Sequence, residues 1–307
     1  MARWLAGLRL AALCALGGAP VWAGTPPPPI LSSGPARTGA EEAADRRIVL
    51  AFHRAACGAP AERAAAAGLL ATDFRNHNVE QPSGARRYVD YLMTSAAAAQ
   101  LPGQASAGPL FVITDGDLTM LAAPGAGADP GAHFTANLFE VQNGKITQIW
   151  YSGPVGGAGA PPRSDDPRAC VASDEPAQAP DRHATRVQRN AALRLVAQFI
   201  QDFFVDGDTE AAARVLAPDL ISHVPGVPSG RDFAAVAHKH QDRVVAPDPG
   251  QELFALADGE LVAIGFPVPY ASDPGARFAQ TVVRVRDGRI TEWWYSGYPA
   301  GHPRRAW

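Results

Sequence analysis

The sequence predicts an α+β fold built twice in one chain. Three observations carry this. First, the second half repeats the first: Leu70 to Gly84 align without a gap on Leu216 to Gly230, placing His77 on His223, and Asn143 to Gly153 align on Asp287 to Gly297, placing Tyr151 on Tyr295. The register changes only from 146 to 144 residues between the two segments, which is one fold copied with altered loops. Second, each copy opens with apolar residues at helical spacing and closes with alternating ones. Third, Asn143-Gly144 and Asp287-Gly288 are dipeptides that favour tight hairpins.

Within each copy the elements follow in one order. A first helix is predicted over Glu41 to Cys57 and over Val187 to Phe204, the latter with Leu193, Val196, Phe199, Ile200 and Phe203 at helical spacing. A short helix follows over Ala61 to Leu70 and Thr209 to Leu216, with Asp208 as N-cap. The histidine segment comes next. Ser83 and Ser229 stand where they could cap a third helix, Ala85 to Ser95 and Arg231 to Gln241. Strands fill the rest: Leu110–Thr114 with Asp117–Ala122, His133–Val141 with Lys145–Tyr151, and in the second copy Glu252–Ala257 with Glu260–Gly265 and Arg277–Arg286 with Arg289–Tyr295. Helices followed by a mainly antiparallel sheet define the α+β class.

The chain of 307 residues, 47% hydrophobic and 19% charged, is globular in composition, and each copy is long enough to bury its own core. Residues 1–23 read as a signal peptide: Arg3 and Arg9, a short apolar run from Leu10 to Leu16, and Val21-Trp22-Ala23 before Gly24. The run is too short to span a bilayer, so no membrane association beyond the signal peptide is expected, and the protein is expected to be periplasmic or secreted. Cleavage there would leave 25 basic residues against 30 acidic ones, which argues against nucleic acid as a partner. Cys57 and Cys170 would remain. An oxidising compartment would let them pair, the alternative being two free thiols. Residues 24–40 form a Pro-rich tether, 41–155 the first domain, 156–185 a Gly/Pro-rich linker, 186–300 the second domain and 301–307 a tail.

The motifs Asp73-Phe74-Arg75-Asn76-His77-Asn78 and Asp219-Leu220-Ile221-Ser222-His223-Val224-Pro225, each before a Gly-initiated helix, together with the closing hairpins, resemble the SnoaL-like family of the nuclear transport factor two-like fold group. The resemblance covers residues 41–155 and 186–300. It implies two tandem cone-shaped domains, each a curved sheet wrapped around the N-terminal helices and enclosing an apolar pocket. That group includes polyketide cyclases, isomerases, dehydratases, epoxide hydrolases and proteins that only bind, so the resemblance speaks to fold more than to reaction.

The resemblance places His77 and His223 at the pocket, where imidazole could move a proton near neutral pH. A histidine that only holds its loop would also be kept in both copies. Family enzymes often carry an aspartate after the last tryptophan. Here Tyr151 and Tyr295 stand in that place, able to donate a hydrogen bond to a carbonyl but poor bases at neutral pH. Ile149 shares a strand face with Tyr151, and Trp293 with Tyr295, whereas Gln148 and Glu292 lie on the opposite face. Trp150, Trp293, Ile149, His133 and Phe74 complete the candidate ligand-lining set. Glu140 is matched by Arg284 on the outer face. His238 and His240 are two apart on a helix and lack further ligands, so no metal and no cofactor are expected.

Two functions follow. The first is an exported protein whose apolar pockets bind a small hydrophobic molecule. The second is a cofactor-free acid–base lyase, cyclase or isomerase acting on a small carbonyl compound, which requires histidine and tyrosine to converge within about 8 Å. The two domains are also expected to pair as an intramolecular pseudo-dimer, since tethering raises their effective concentration.

Overall fold

The computed structural model describes residues 30–32, 37–77, 82–94, 108–124, 134–152, 176–180, 184–224, 227–240, 253–270 and 273–296. Domain 1 comprises α1 (Gly39–Cys57), α2 (Pro60–Ala65) with a 3-10 turn over Ala66–Leu69, β2 (Leu70–Asn76), α3 (Ala85–Thr94), β3 (Phe111–Asp115), β4 (Leu118–Pro124), β5 (Phe134–Gln142) and β6 (Lys145–Ser152). Domain 2 repeats this as α4 (Arg186–Ile200), α5 (Thr209–Arg214), β7 (Leu216–Ser222), α6 (Phe233–His240), β8 (Leu253–Asp258), β9 (Leu261–Tyr270), β10 (Asp273–Arg286) and β11 (Arg289–Ser296). A short strand, β1 (Ile30–Ser32), precedes both.

The two sheets run in the same order. In domain 1 it is β2-β6-β5-β4-β3, and in domain 2 β7-β11-β10-β9-β8, with β1 added at the β8 edge. The β2/β6 and β7/β11 pairs are parallel and the other pairs within each domain antiparallel. The closing hairpins turn as their dipeptides demand. Asn143 and Asp287 sit at φ 53° and 49°, and the glycines after them at 72° and 70°.

Helix starts are set by their caps. Thr38 and Thr185 each close a capping box, with Glu41 and Gln188 returning the bond. Asp208 caps α5 through the Ala211 N–H at 2.8 Å. Two local expectations differ. The short helices end early, and Leu70 and Leu216 begin strands instead. Ser83 and Ser229 do not cap: each hydroxyl accepts from the strand end, Asn76 N–H and Ser222 N–H, both at 3.0 Å. They thus tie the strand to Gly84 and Gly230, whose φ of 88° and 81° makes the turn into the third helix.

Each sheet has one face on its own helices and the other on the second sheet. One core lies between α1, α3 and the inner face of domain 1, and includes Val49, Phe52, Phe74, Tyr88, Phe139 and Ile149. Another lies inside domain 2, with Phe199, Phe203, Phe233 and Trp293. A third buried cluster joins the outer faces of the two sheets: Phe111, Met120, Leu138 and Trp150 from domain 1 with Phe254, Leu256, Val282 and Trp294 from domain 2. Trp294 is fully buried there against Phe111, ring centres 5.0 Å apart. Burying such side chains stabilises by about 1.5–3 kcal/mol each. Gly265 is required by this packing, because a Cβ there would sit 2.0 Å from the Phe254 ring.

Polar contacts follow the same seam. The Thr114 N–H donates to Asp258 at 3.2 Å, and at the equivalent place the Ala257 N–H donates to Asp115 at 3.1 Å. The segments outside the domains also cross. Residues 30–32 of the tether pair with β8 in parallel, and Ala177 and Gln178 of the linker donate to Pro109 and Leu110 beside β3. Each arm therefore covers the sheet edge of the other domain, where open N–H and C=O groups would otherwise remain.

Candidate functional site

The interior of domain 1 follows from two periodicities. On α1, Val49, Phe52, His53 and Ala56 recur at helical spacing and are buried. On β5, Asn137, Phe139 and Val141 alternate with the outward Ala136, Leu138 and Glu140. Between them lies a cavity walled by Phe52, Ala56, Leu92, Phe139 and Ile149, into which His53, Tyr88 and Asn137 bring the polar groups. Its cavity volume is about 10 Å³, room for roughly one water molecule. His53 and Asn137 are each 3% exposed. Imidazole and carboxamide can each donate and accept, so a molecule larger than water that parted the walls would meet both kinds of polar group.

At the matching places of domain 2, among the described residues, larger apolar side chains pack together. Aligning the helices on their threonine caps sets Ile200 opposite His53 and Phe203 opposite Ala56, and aligning the last hairpins sets Thr281 opposite Asn137 and Trp293 opposite Ile149. Phe203 stacks on Phe199 at 5.1 Å, and Trp293 packs on Phe199 at 5.0 Å and Phe233 at 5.3 Å. The helix reaches this arrangement through a π-helical turn over Gln201–Val205 where α1 stays regular.

The histidines singled out by the repeat lie on the other face of the sheet. His77 stacks on Trp150, ring centres 4.4 Å apart, and its Nε2 is 2.8 Å from Gln148 Oε1. The Gln148 amide donates to Glu140 at 2.7 Å, which turns its oxygen toward His77 and makes Nε2 the protonated ring nitrogen. His223 stacks on Trp294 at 4.6 Å. Its Nε2 is 3.6 Å from Glu292, too far for a hydrogen bond, and Glu292 in turn pairs with Arg284 at 2.8 Å. The His77 N–H donates to Ile149 O and the His223 N–H to Trp293 O, both at 2.9 Å. Both histidines thus fasten the strand end to the last strand.

Tyr151 pairs across the sheet with Asn137 and Tyr295 with Thr281, on the alternation of Ile149 and Trp293. Their side chains lie outside the described part of the structure. Gln148, bonded to His77, and Ile149 are neighbours on β6, so the His77 contact and the Ile149 lining lie on opposite faces of that strand. Of the lining candidates, Ile149 borders the cavity, and Phe74 lies behind it against Tyr88 at 5.2 Å. Trp293 fills the interior of domain 2, whereas Trp150 sits between the two sheets. His133 and the side chains of His238 and His240 fall outside the described residues. Among the described residues no group of three or more His, Cys, Asp or Glu is placed to hold a metal, and no helix is long and apolar enough to cross a membrane.

No family model matches the chain, and no curated protein does. Solved structures do match. A candidate polyketide cyclase from Xanthomonas campestris is 21% identical, over 35% of this chain and 90% of that one, with a TM-score of 0.27. An epoxide hydrolase from M. tuberculosis is 25% identical over 35% of this chain and 83% of that one, TM-score 0.27. A designed protein with a curved β-sheet is 20% identical over 36% and 88%, TM-score 0.29. The α+β fold that the SnoaL-like resemblance implied, helices against a mixed sheet and present twice, stands on the chain's own geometry.

Proposed function

We propose that the chain is an exported two-domain binding protein, in which domain 1 holds a small, largely apolar molecule with one hydrogen-bonding oxygen and domain 2 serves as a filled structural partner. The observation that supports this reading is the contrast of the two interiors: His53, Ala56 and Asn137 around a water-sized recess, which a ligand would have to widen, against Ile200, Phe203 and Thr281 around packed aromatic rings. Export is supported by the signal-like first 23 residues and by a disulfide at Cys57, the kind of bond that persists in oxidising compartments. His77 and His223 are strand anchors in this account. The test is calorimetric titration with cyclohexanone, a small apolar ketone, on the wild type, Ala56→Phe and His53→Leu. Saturable binding in the wild type, lost in Ala56→Phe and weakened about tenfold in His53→Leu, a loss of about 1.4 kcal/mol, is the expected result. Equal binding by wild type and Ala56→Phe would place the ligand elsewhere.

The alternative is a cofactor-free lyase, cyclase or isomerase working on a small carbonyl compound. It is favoured only by His53, an imidazole brought into the cavity beside Asn137. Turnover of a cyclic ketone lost in His53→Gln, with binding of that ketone retained, would establish it.

A further inference from the structure

The seam between the domains carries three carboxylates, Glu42, Asp115 and Asp258, and three guanidiniums, Arg46, Arg186 and Arg189. Arg189 grips both oxygens of Glu42 at 3.0 Å, Arg46 pairs with Asp258 at 2.8 Å, and Arg186 pairs with Asp115 at 2.8 Å. All three carboxylates are buried. The seam has approximate two-fold symmetry, since Asp115 and Asp258 occupy the same hairpin turn in the two copies and each accepts from the other's strand. The covering arms obey it too: Ile30 lies eight residues before the cap Thr38, and Ala177 eight before the cap Thr185.

Counted from those caps, Glu42 and Arg189 are the same position of the two copies. A position that meets its own equivalent lies on the symmetry axis, where an isologous interface brings identical residues face to face. Two copies of domain 1 joined in this way would set Glu42 against Glu42, and two copies of domain 2 would set Arg189 against Arg189. Buried like charges at bidentate distance are strongly unfavourable, while the unlike pair is charge-assisted and matched in shape.

We propose that the charge difference between Glu42 and Arg189 makes the outer sheet faces selective for their unlike partner, so that the chain closes on itself as a monomeric pseudo-dimer and does not associate with other chains through these faces. Arg46 adds to the selectivity, because its equivalent in domain 2 is Leu193, so a second domain 1 would have to accommodate a second partly buried arginine.

The test uses the full chain. Light scattering and thermal unfolding are compared for the wild type, Arg189→Lys, Arg189→Glu and the exchange Glu42→Arg/Arg189→Glu. The wild type and Arg189→Lys are expected at the mass of one chain. Arg189→Glu, with four acids facing two arginines, is expected to lower the unfolding midpoint by roughly 5–10 °C and to give chain dimers or larger species. The exchange variant is expected to recover most of that loss and the one-chain mass. A wild-type chain dimer, an Arg189→Glu variant unchanged in mass and midpoint, or an exchange variant no better than the single variant would each overturn the proposal. If Arg189→Glu does not fold, recovery of folding in the exchange variant decides for it, and continued failure against it.

Discussion

The two domains share a backbone plan and differ in what they keep inside. At matched places domain 1 has His53, Ala56, Asn137 and Ile149, and domain 2 has Ile200, Phe203, Thr281 and Trp293. Two of these exchanges add a ring, and one removes an imidazole. The outer faces run the other way: there the copies match, with His77 on Trp150 and His223 on Trp294 in nearly the same stack. In a duplicated protein, retention marks what the fold needs, and divergence marks where one copy has taken a separate task.

Variants that make the domains alike test this contrast. The largest effect is expected from Phe203→Ala, which removes a fully buried ring stacked on Phe199 and should cost about 3–5 kcal/mol in denaturant unfolding. A loss below about 1 kcal/mol would mean that the second interior is not packed tightly. The reverse variant, Ala56→Phe, should cost about 1–3 kcal/mol by overpacking while abolishing cyclohexanone binding. Binding that survives it would erase the distinction between the halves. His77→Ala should lose about 0.5–1.5 kcal/mol with its bond to Gln148 and leave binding unchanged, the behaviour of an anchor. Abolished binding would return His77 to the site.

The smallest effect concerns the seam the halves share. Burial pushes the Asp115 carboxyl above its ordinary value, although the Ala257 N–H and Arg186 pull the other way. A raised folded value means that folded protein binds more protons than unfolded chain in this range. The contribution is therefore fully present below the ordinary carboxylate range and is lost as pH rises through the folded value. Urea unfolding at about pH 4 and about pH 7 should show the wild type losing stability relative to Asp115→Asn on going to the higher pH. A shift in the opposite direction would contradict this assignment.

Much of the fold was legible in the sequence because local rules decide it. The threonine and aspartate caps, the Asn-Gly and Asp-Gly turns and the strand alternation each act over a few residues, and all lie where the sequence indicates. The π-turn over Gln201–Val205 and the crossing of the tether and linker onto opposite sheet edges were not legible, since both depend on packing between segments far apart in the chain. The recess in domain 1 is less legible for a related reason. A comparison of the halves points to residues present in both, such as His77 and His223, and is blind to His53, which occurs once. A signal for it existed: His53 falls on the buried stripe Val49, Phe52, Ala56, and Asn137 interrupts an inward row with Phe139 and Val141.

The central claim, that a ligand enters the recess of domain 1 and not the packed interior of domain 2, can be tested directly with isoleucine methyl NMR during a cyclohexanone titration. Ile149 borders the cavity of domain 1, and Ile200 takes the place of His53 in domain 2. The account predicts a saturable shift of the Ile149 methyl with Ile200 and Ile290 unmoved. A saturable shift at Ile200, or none at Ile149, would contradict it.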